Sequence, residues 1–217
     1  MKVNNQTARD PWQEIEPARD TIYVDGERIL PIGNERLVVA INKPRGYITA
    51  MSDDRNRPTV GDLIREHFQT PLFHVGRLDR DTGGLLIMTN DGQLAHEIAH
   101  PSSSVCKTYL ARIAGSLNAR ETNLLRKGVL LRDGFKTSPA EVRVLEQTDD
   151  VSLVELIIKE GHKRQVREML SFLGKEVLSL TRTAIGGISI DIVPGPGDIR
   201  VLTKEETRLL RRKKGTC

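Results

Sequence analysis

Apolar residues along this chain mostly fall in short runs or alternate with polar ones; in a few windows they recur at three- and four-residue spacing. The runs at 37–42, 73–78, 84–89, 105–113, 138–145, 151–159, 177–182 and 198–202 predict strands, many of them rich in Val, Ile and Leu and several with no helix between them. Helical spacing predicts helices at 59–67, 91–100, 118–127, 163–173 and 203–213. Asn118 with Glu121, and Thr203 with Glu206, form capping-box pairs ahead of the third and last of these, and Gly128 stops the third. In the fourth, Val166, Met169, Leu170 and Leu173 make an i, i+3, i+4, i+7 stripe with Arg164 and Arg167 along its edge. Long adjacent strands with helices packed on them predict an α+β fold rather than a doubly wound parallel sheet.

TIYVDGERIL, at 21–30, puts β-formers on both sides of Asp25-Gly26, a two-residue hairpin signal, and PIGN follows at 31–34. Residues 1–33 are therefore expected to form a small appendage and residues 34–217 the main domain, a division that 217 residues accommodate.

A chain that is 38% hydrophobic and 29% charged is expected to be globular and soluble. No apolar run approaches the length of a membrane span, and MKVNNQTARD contains no hydrophobic signal region. The two cysteines, Cys106 and Cys217, show no metal-type spacing, which fits a reducing, cytoplasmic setting. The net charge of +4 is mild, but GHKRQVREM at 161–169 and RLLRRKK at 208–214 concentrate basic side chains. Such runs are either solvated helix faces or contacts for a polyanion such as nucleic acid.

One stretch conflicts with its own surroundings. In HVGRLDRDTGGLLIMTNDG, at 74–92, Arg77, Asp79, Arg80 and Asp81 stand directly before the apolar run Leu85-Leu86-Ile87-Met88, among Gly76, Gly83 and Gly84. A carboxylate taken from water without a partner costs several kcal/mol, so one placed here needs its arginines, unless the stretch is a surface loop facing water. Paired glycines allow a sharp bend and the close approach of a ligand. Asp79-Arg80-Asp81-Thr82 is similar to the aspartate nucleophile of haloacid-dehalogenase-type phosphotransferases, but the threonine falls one place early and Arg77 interrupts the apolar approach. His96-Glu97-Ile98-Ala99-His100 has the form of a zinc-protease helix, yet Pro101 ends the helix at the second histidine and no third ligand announces itself.

The wider pattern is more specific. GRLDRDTGGLLIMTNDG closely resembles the G-R-L-D-x-x-T-x-G-L-L-x-x-T-N-D-G signature of the pseudouridine synthases that modify ribosomal RNA. INKPRGYIT (41–49), Leu94-Ala95, His100-Pro101, KTYL (107–110) and KEGHKRQVREML (159–170) resemble further blocks of that family, in its order, over about residues 36–202. Arg164-Gln165-Val166-Arg167 is similar to the ribosomal subgroup rather than to the subgroup carrying H-Q-I-R.

The resemblance implies a pseudouridine synthase fold, an extended and mainly antiparallel mixed sheet flanked by helices. It implies an enzyme that isomerises a uridine with no cofactor and no metal, since the reaction involves neither redox change nor phosphoryl transfer. By the motif match Asp79 is the catalytic aspartate, Arg167 the arginine that pairs with it, and Tyr109 the ring that stacks on the flipped base. The alternation of KTYLARI equally allows Tyr109 to be core packing. Arg77 is placed beside the site, to touch RNA or fill the gap left by the flipped base. Lys43, Lys107, Lys163 and Arg164 are expected to bind RNA, the two lysines 43 and 107 at phosphates.

Residues 1–29 resemble the back half of an alpha-L type RNA-binding domain whose leading helices are absent. The partner expected is ribosomal RNA, with the Asp133-Gly134 hairpin and KTSPAEV closer to the large-subunit enzymes. The expected state is a cytoplasmic monomer. The rival is a catalytically inactive RNA-binding or ribosome-assembly protein on the same fold.

Overall fold

A computed structural model of the chain describes residues 1–10, 13–16, 19–29, 36–100 and 103–211. The expected boundary near residue 34, the Pro101 stop and the basic run beyond Arg211 lie outside the described residues. The chain divides into two compact units, Met1–Arg36 and Leu37–Cys217.

In the first unit, β1 (Lys2–Val3), β2 (Gln6–Thr7), β3 (Ile22–Val24) and β4 (Glu27–Ile29) form a sheet in the order β2-β1-β3-β4, with every pair antiparallel. The hairpin expected at Asp25-Gly26 is present, with φ of 52° and 86°, the left-handed pair that a tight two-residue turn requires.

The second unit contains β5 (Val38–Lys43), α1 (Val60–Arg65), β6 (Phe73–Val75), β7 (Thr82–Thr89), α2 (Gly92–Ala99), β8 (Lys107–Ala114), α3 (Ala119–Lys127), β9 (Glu141–Gln147), β10 (Val151–Ile158), α4 (Gln165–Phe172), β11 (Val177–Ile185), β12 (Ile188–Ser189), β13 (Ile199–Val201) and α5 (Lys204–Leu210). The capping boxes at Asn118/Glu121 and Thr203/Glu206 start α3 and α5, and Thr59/Asp62 starts α1 in the same way. The described strands of this unit make a mixed sheet in the order β13-β5-β7-β11-β8-β10-β9, with β6 and β12 attached to β7 and β11. Only β7 and β11 run parallel among the described pairs, so the α+β class holds.

Helices cover both faces. Val39, Ile41, Leu86 and Met88 join one core with residues of α1, α3 and α4; Val38, Ala40, Leu85 and Ile87 join a second with residues of α2 and α5. β5 and β7 are buried on both sides, which is why their sequences are unbroken apolar runs rather than alternating ones.

The edge of β7 away from β5 is shared. β6 pairs with Ile87, Met88 and Thr89, whereas β11 pairs with Thr82, Gly83 and Gly84. Between the two registers, at Leu85 and Leu86, the sheet forks. Gly84 (φ 108°) faces this junction, and a Cβ there would lie 2.3 Å from the carbonyl oxygen of Arg182. The close approach that Gly84 permits is thus to the backbone of β11.

Candidate active site

The loop 76–81 joins β6 to β7 and carries Asp79 beside the fork. It is fixed from several directions. The Thr49 hydroxyl, buried, donates to the Leu78 carbonyl (2.8 Å) and accepts from the Leu78 amide (3.1 Å). The Gly46 amide donates to the Arg80 carbonyl (2.8 Å), and the Thr82 amide closes a turn on the Asp79 carbonyl (3.0 Å). INKPRGYIT and the charged signature are therefore two halves of one loop assembly.

A cavity of about 700 Å³ opens here. Its wall includes Arg77, Asp79, Tyr109, Lys107, Arg182 and Arg164. That size suits a nucleotide, within the usual range for small-molecule sites. Asp79 is partly exposed, and its ion pair is with Arg164 at 3.9 Å. Arg164 precedes α4 in the left-handed conformation (φ 54°), outside the helix rather than on its face. Arg167, on the helix, donates instead to the carbonyl oxygens of Asp81 (3.1 Å) and Val177 (3.5 Å). Burial and the neighbouring Arg164 lower the proton affinity of Arg167, and Asp79 and Asp81 oppose them at a distance. The direct contact with Asp79 thus falls on Arg164, because the chain turns sharply before the helix begins.

The loop that presents Arg164 is braced by the hairpin after α3. His162 stacks on Phe135 with ring centroids 4.1 Å apart and planes 2° from parallel, and it shares a 2.6 Å hydrogen bond with Asp133. Glu160 accepts from the Ser138 amide and hydroxyl, both at 2.9 Å. Nothing in the sequence pattern linked these two segments, which come together only through the β9–β10 pairing.

Tyr109 is 8% exposed and belongs to the core as well as to the cavity wall. Its hydroxyl lies 3.5 Å from Arg182 Nη1, directly across the β8–β11 pair. Arg182 also donates through Nε to the Leu85 carbonyl (2.8 Å), filling the fork where β7 lacks a strand partner. In the sequence a single arginine in VLSLTRTAI reads as an outward position, although its place two residues after Leu180 puts it on the inward register.

Lys43 corrects an expectation. It is fully buried, and its ammonium donates to the carbonyl oxygens of Pro44 (2.9 Å) and Tyr47 (2.7 Å), so it holds the loop rather than a phosphate. Burial pushes it down to about 8, with Asp79 and Asp81 opposing the shift. Lys107 is likewise 9% exposed, inside the cavity rather than on the surface. Burial and then Arg182 push it down to about 8. The exposed cations at the site are Arg45, Arg77, Arg80, Lys163 and Arg164.

The zinc-like pattern resolves differently. His96 and His100 stack with centroids 4.8 Å apart, Glu97 is ion-paired with Arg211 at 2.6 Å, and His100 ends α2. Among the described residues, no three His, Cys, Asp or Glu side chains are grouped to hold a metal ion, and no helix is long and apolar enough to cross a membrane.

Comparison with known proteins agrees with this architecture. The family described as RNA pseudouridylate synthase matches residues 37–172. An uncharacterized RNA pseudouridine synthase of Mycobacterium leprae is 40% identical, over 99% of this chain and 84% of its own length. Ribosomal large subunit pseudouridine synthase B of Bacillus subtilis is 34% identical, over 97% of this chain and 85% of its own. A crystal structure of a pseudouridylate synthase superimposes with a TM-score of 0.74 at 32% identity, covering 96% of this chain and 87% of that one. The chain belongs to the RNA pseudouridine synthase family, whose members are isomerases acting on uridine in RNA.

Proposed function

We propose that this protein converts one uridine of ribosomal RNA to pseudouridine, without a cofactor, and that Asp79 is the essential carboxylate. The observation that carries this reading is the placement of Asp79 on the wall of a nucleotide-sized cavity, paired with Arg164 and sharing that wall with Tyr109. The reaction breaks the N1–C1′ glycosidic bond, turns the freed ring and joins C5 to C1′, so its needs are an ionised carboxylate beside the sugar and a flat wall for the base. Tyr109 supplies the wall. Arg164 touches the carboxylate and Arg167 anchors the turn that carries it. Arg77, Lys163 and Arg164 meet the RNA strand. The relative named for the large ribosomal subunit favours that subunit as the target. The state is read as a monomer. The Met1–Arg36 unit is read as part of an alpha-L type RNA-binding module, and the compartment as the cytoplasm.

The test is a pseudouridine map of ribosomal RNA from cells lacking the protein, complemented with the unaltered chain or with Asp79→Asn. One site that disappears, returns with the unaltered chain and stays absent with Asp79→Asn is the expected result. An unchanged map, or equal rescue by Asp79→Asn, would leave an RNA-binding or assembly role in its place.

A further inference from the structure

Arg182 breaks the rules for protein interiors. It is 2% exposed, yet its described partners are a carbonyl and a phenol, with no carboxylate among them. Its Nη2 is buried with no hydrogen-bond partner. Lys107 stands two residues before Tyr109 on the same face of β8, and its ammonium meets only the Val105 carbonyl, at 3.3 Å, among the described contacts. Burial and then Arg182 push the proton affinity of Lys107 down, and Glu160 opposes them. Thr82 Oγ1 is a further buried polar atom without a partner, and all three residues line the cavity.

Buried charges are normally paired, and buried polar atoms are normally bonded, because the interior does not solvate them. One nitrogen of Arg182 serves the fork at Leu85, but Nη2 and the charge itself find no counterpart among the described contacts. A hydrophobic residue of similar volume commonly serves stability as well or better. The ligand has a use for the charge. When the N1–C1′ bond breaks heterolytically, its electron pair leaves with the uracil, whose negative charge spreads over N1, O2 and O4. When C5 then bonds to C1′, a pair from the ring forms the new bond, the C5 proton is released and N1 takes one up, so the ring is neutral again.

We propose that Arg182, backed by Lys107, stabilises the detached, negatively charged uracil ring within the cavity. This rests on reading the cavity as the uridine site. Arg182 acts through its charge and transfers nothing. A neutral uridine gains little from the charge and the anion gains much, so the effect falls on the rate and not on RNA affinity.

The test uses the RNA segment around the uridine located by the mapping experiment, labelled with tritium at uracil C5, with tritium release followed at saturating protein. Arg182→Met is expected to slow the single-turnover rate roughly ten- to a hundredfold, the size of one charge-assisted interaction. The RNA dissociation constant is expected to stay within about twofold. Arg182→Lys, which keeps the charge, is expected to recover most of the rate. The proposal is overturned by an unchanged rate in Arg182→Met, by affinity falling as far as the rate, by a loss matching the fraction of unfolded protein, or by Lys performing no better than Met. Should Arg182→Met not fold, Lys107→Met is measured in the same way, since it leaves the bond to Leu85 intact. A slower rate at unchanged affinity then supports the proposal, and an unchanged rate overturns it. No tritium release by the unaltered protein would remove the ribosomal reading and this proposal together; release by the unaltered protein with an indifferent Arg182→Met removes this proposal alone.

Discussion

The Thr49 hydroxyl binds Leu78 twice, accepting from its amide and donating to its carbonyl, one residue before Asp79. A single buried oxygen thereby sets the backbone that aims the candidate catalytic carboxylate. Thr49→Val keeps the shape and removes both bonds, leaving two buried backbone groups unpaired. The expected cost is about 1–3 kcal/mol in urea denaturation, together with a slower reaction. A stability loss with an unchanged single-turnover rate would show that the loop is aimed by something else.

Arg164 and Arg167 are expected to separate activity from stability. The Arg164–Asp79 pair has side chains 43% and 32% exposed, so its share of fold stability is small, within about 1 kcal/mol. Arg164→Met should therefore leave the unfolding midpoint nearly unchanged while slowing the reaction roughly tenfold. Arg167→Met removes the donor to the Asp81 and Val177 carbonyls and should lower stability by about 0.5–1.5 kcal/mol. If denaturation curves and rates show the reverse order, the assignment of the two arginines is wrong.

Lys43 predicts an unusual dependence of stability on pH. Its ammonium titrates at about 8 in the folded protein against 10.5 in an unconstrained chain, chiefly because it is buried. Below about 8 both states hold the proton, and the cost of burying the charge is fully present. Between about 8 and 10.5 the unfolded chain holds more protons, so this group makes stability rise with pH. Lys107 acts in the same direction. Comparison of urea midpoints at pH 7 and 9.5 for the unaltered protein and Lys43→Met isolates the effect. The rise should be smaller in the variant, and equal slopes would refute it.

The Phe135–His162 stack predicts a loss of RNA affinity at a distance from the RNA. Phe135→Ala loosens the loop that carries Lys163 and Arg164 and should weaken binding by roughly three- to tenfold, an effect of about 1 kcal/mol. Lys163→Ala should lower the slope of log K against log salt by about 1, as one lost phosphate contact does. Filter binding at several salt concentrations measures both. Unaltered affinity in Phe135→Ala would mean that the loop holds its shape without the stack.

The sequence made the strands of the central sheet legible because β5 and β7 are covered on both faces and carry no polar alternation to confuse them. The caps of α3 and α5 were legible because capping is local chemistry. Lys43, by contrast, reads as a phosphate contact because it is a lysine beside a motif; its burial depends on the loop folding back over it. Arg182 was invisible for a related reason. Its burial depends on the fork between β6 and β11, which no local window contains. The ion pair of Asp79 with Arg164 rather than Arg167 turns on one left-handed backbone position, which sequence spacing along an ideal helix does not foresee.

The parallel pairing of Leu180 with Thr82 has a bearing on when this protein becomes competent. The cleft has one wall from the first half of the chain and its other from β11, near the end of the unit. During synthesis the Asp79 loop emerges long before the strand that completes its surroundings. A ribosome-bound nascent chain that has not yet released β11 therefore has the aspartate but not the chamber. On the proposed reading, chemistry on RNA waits until β11 has emerged and paired with β7.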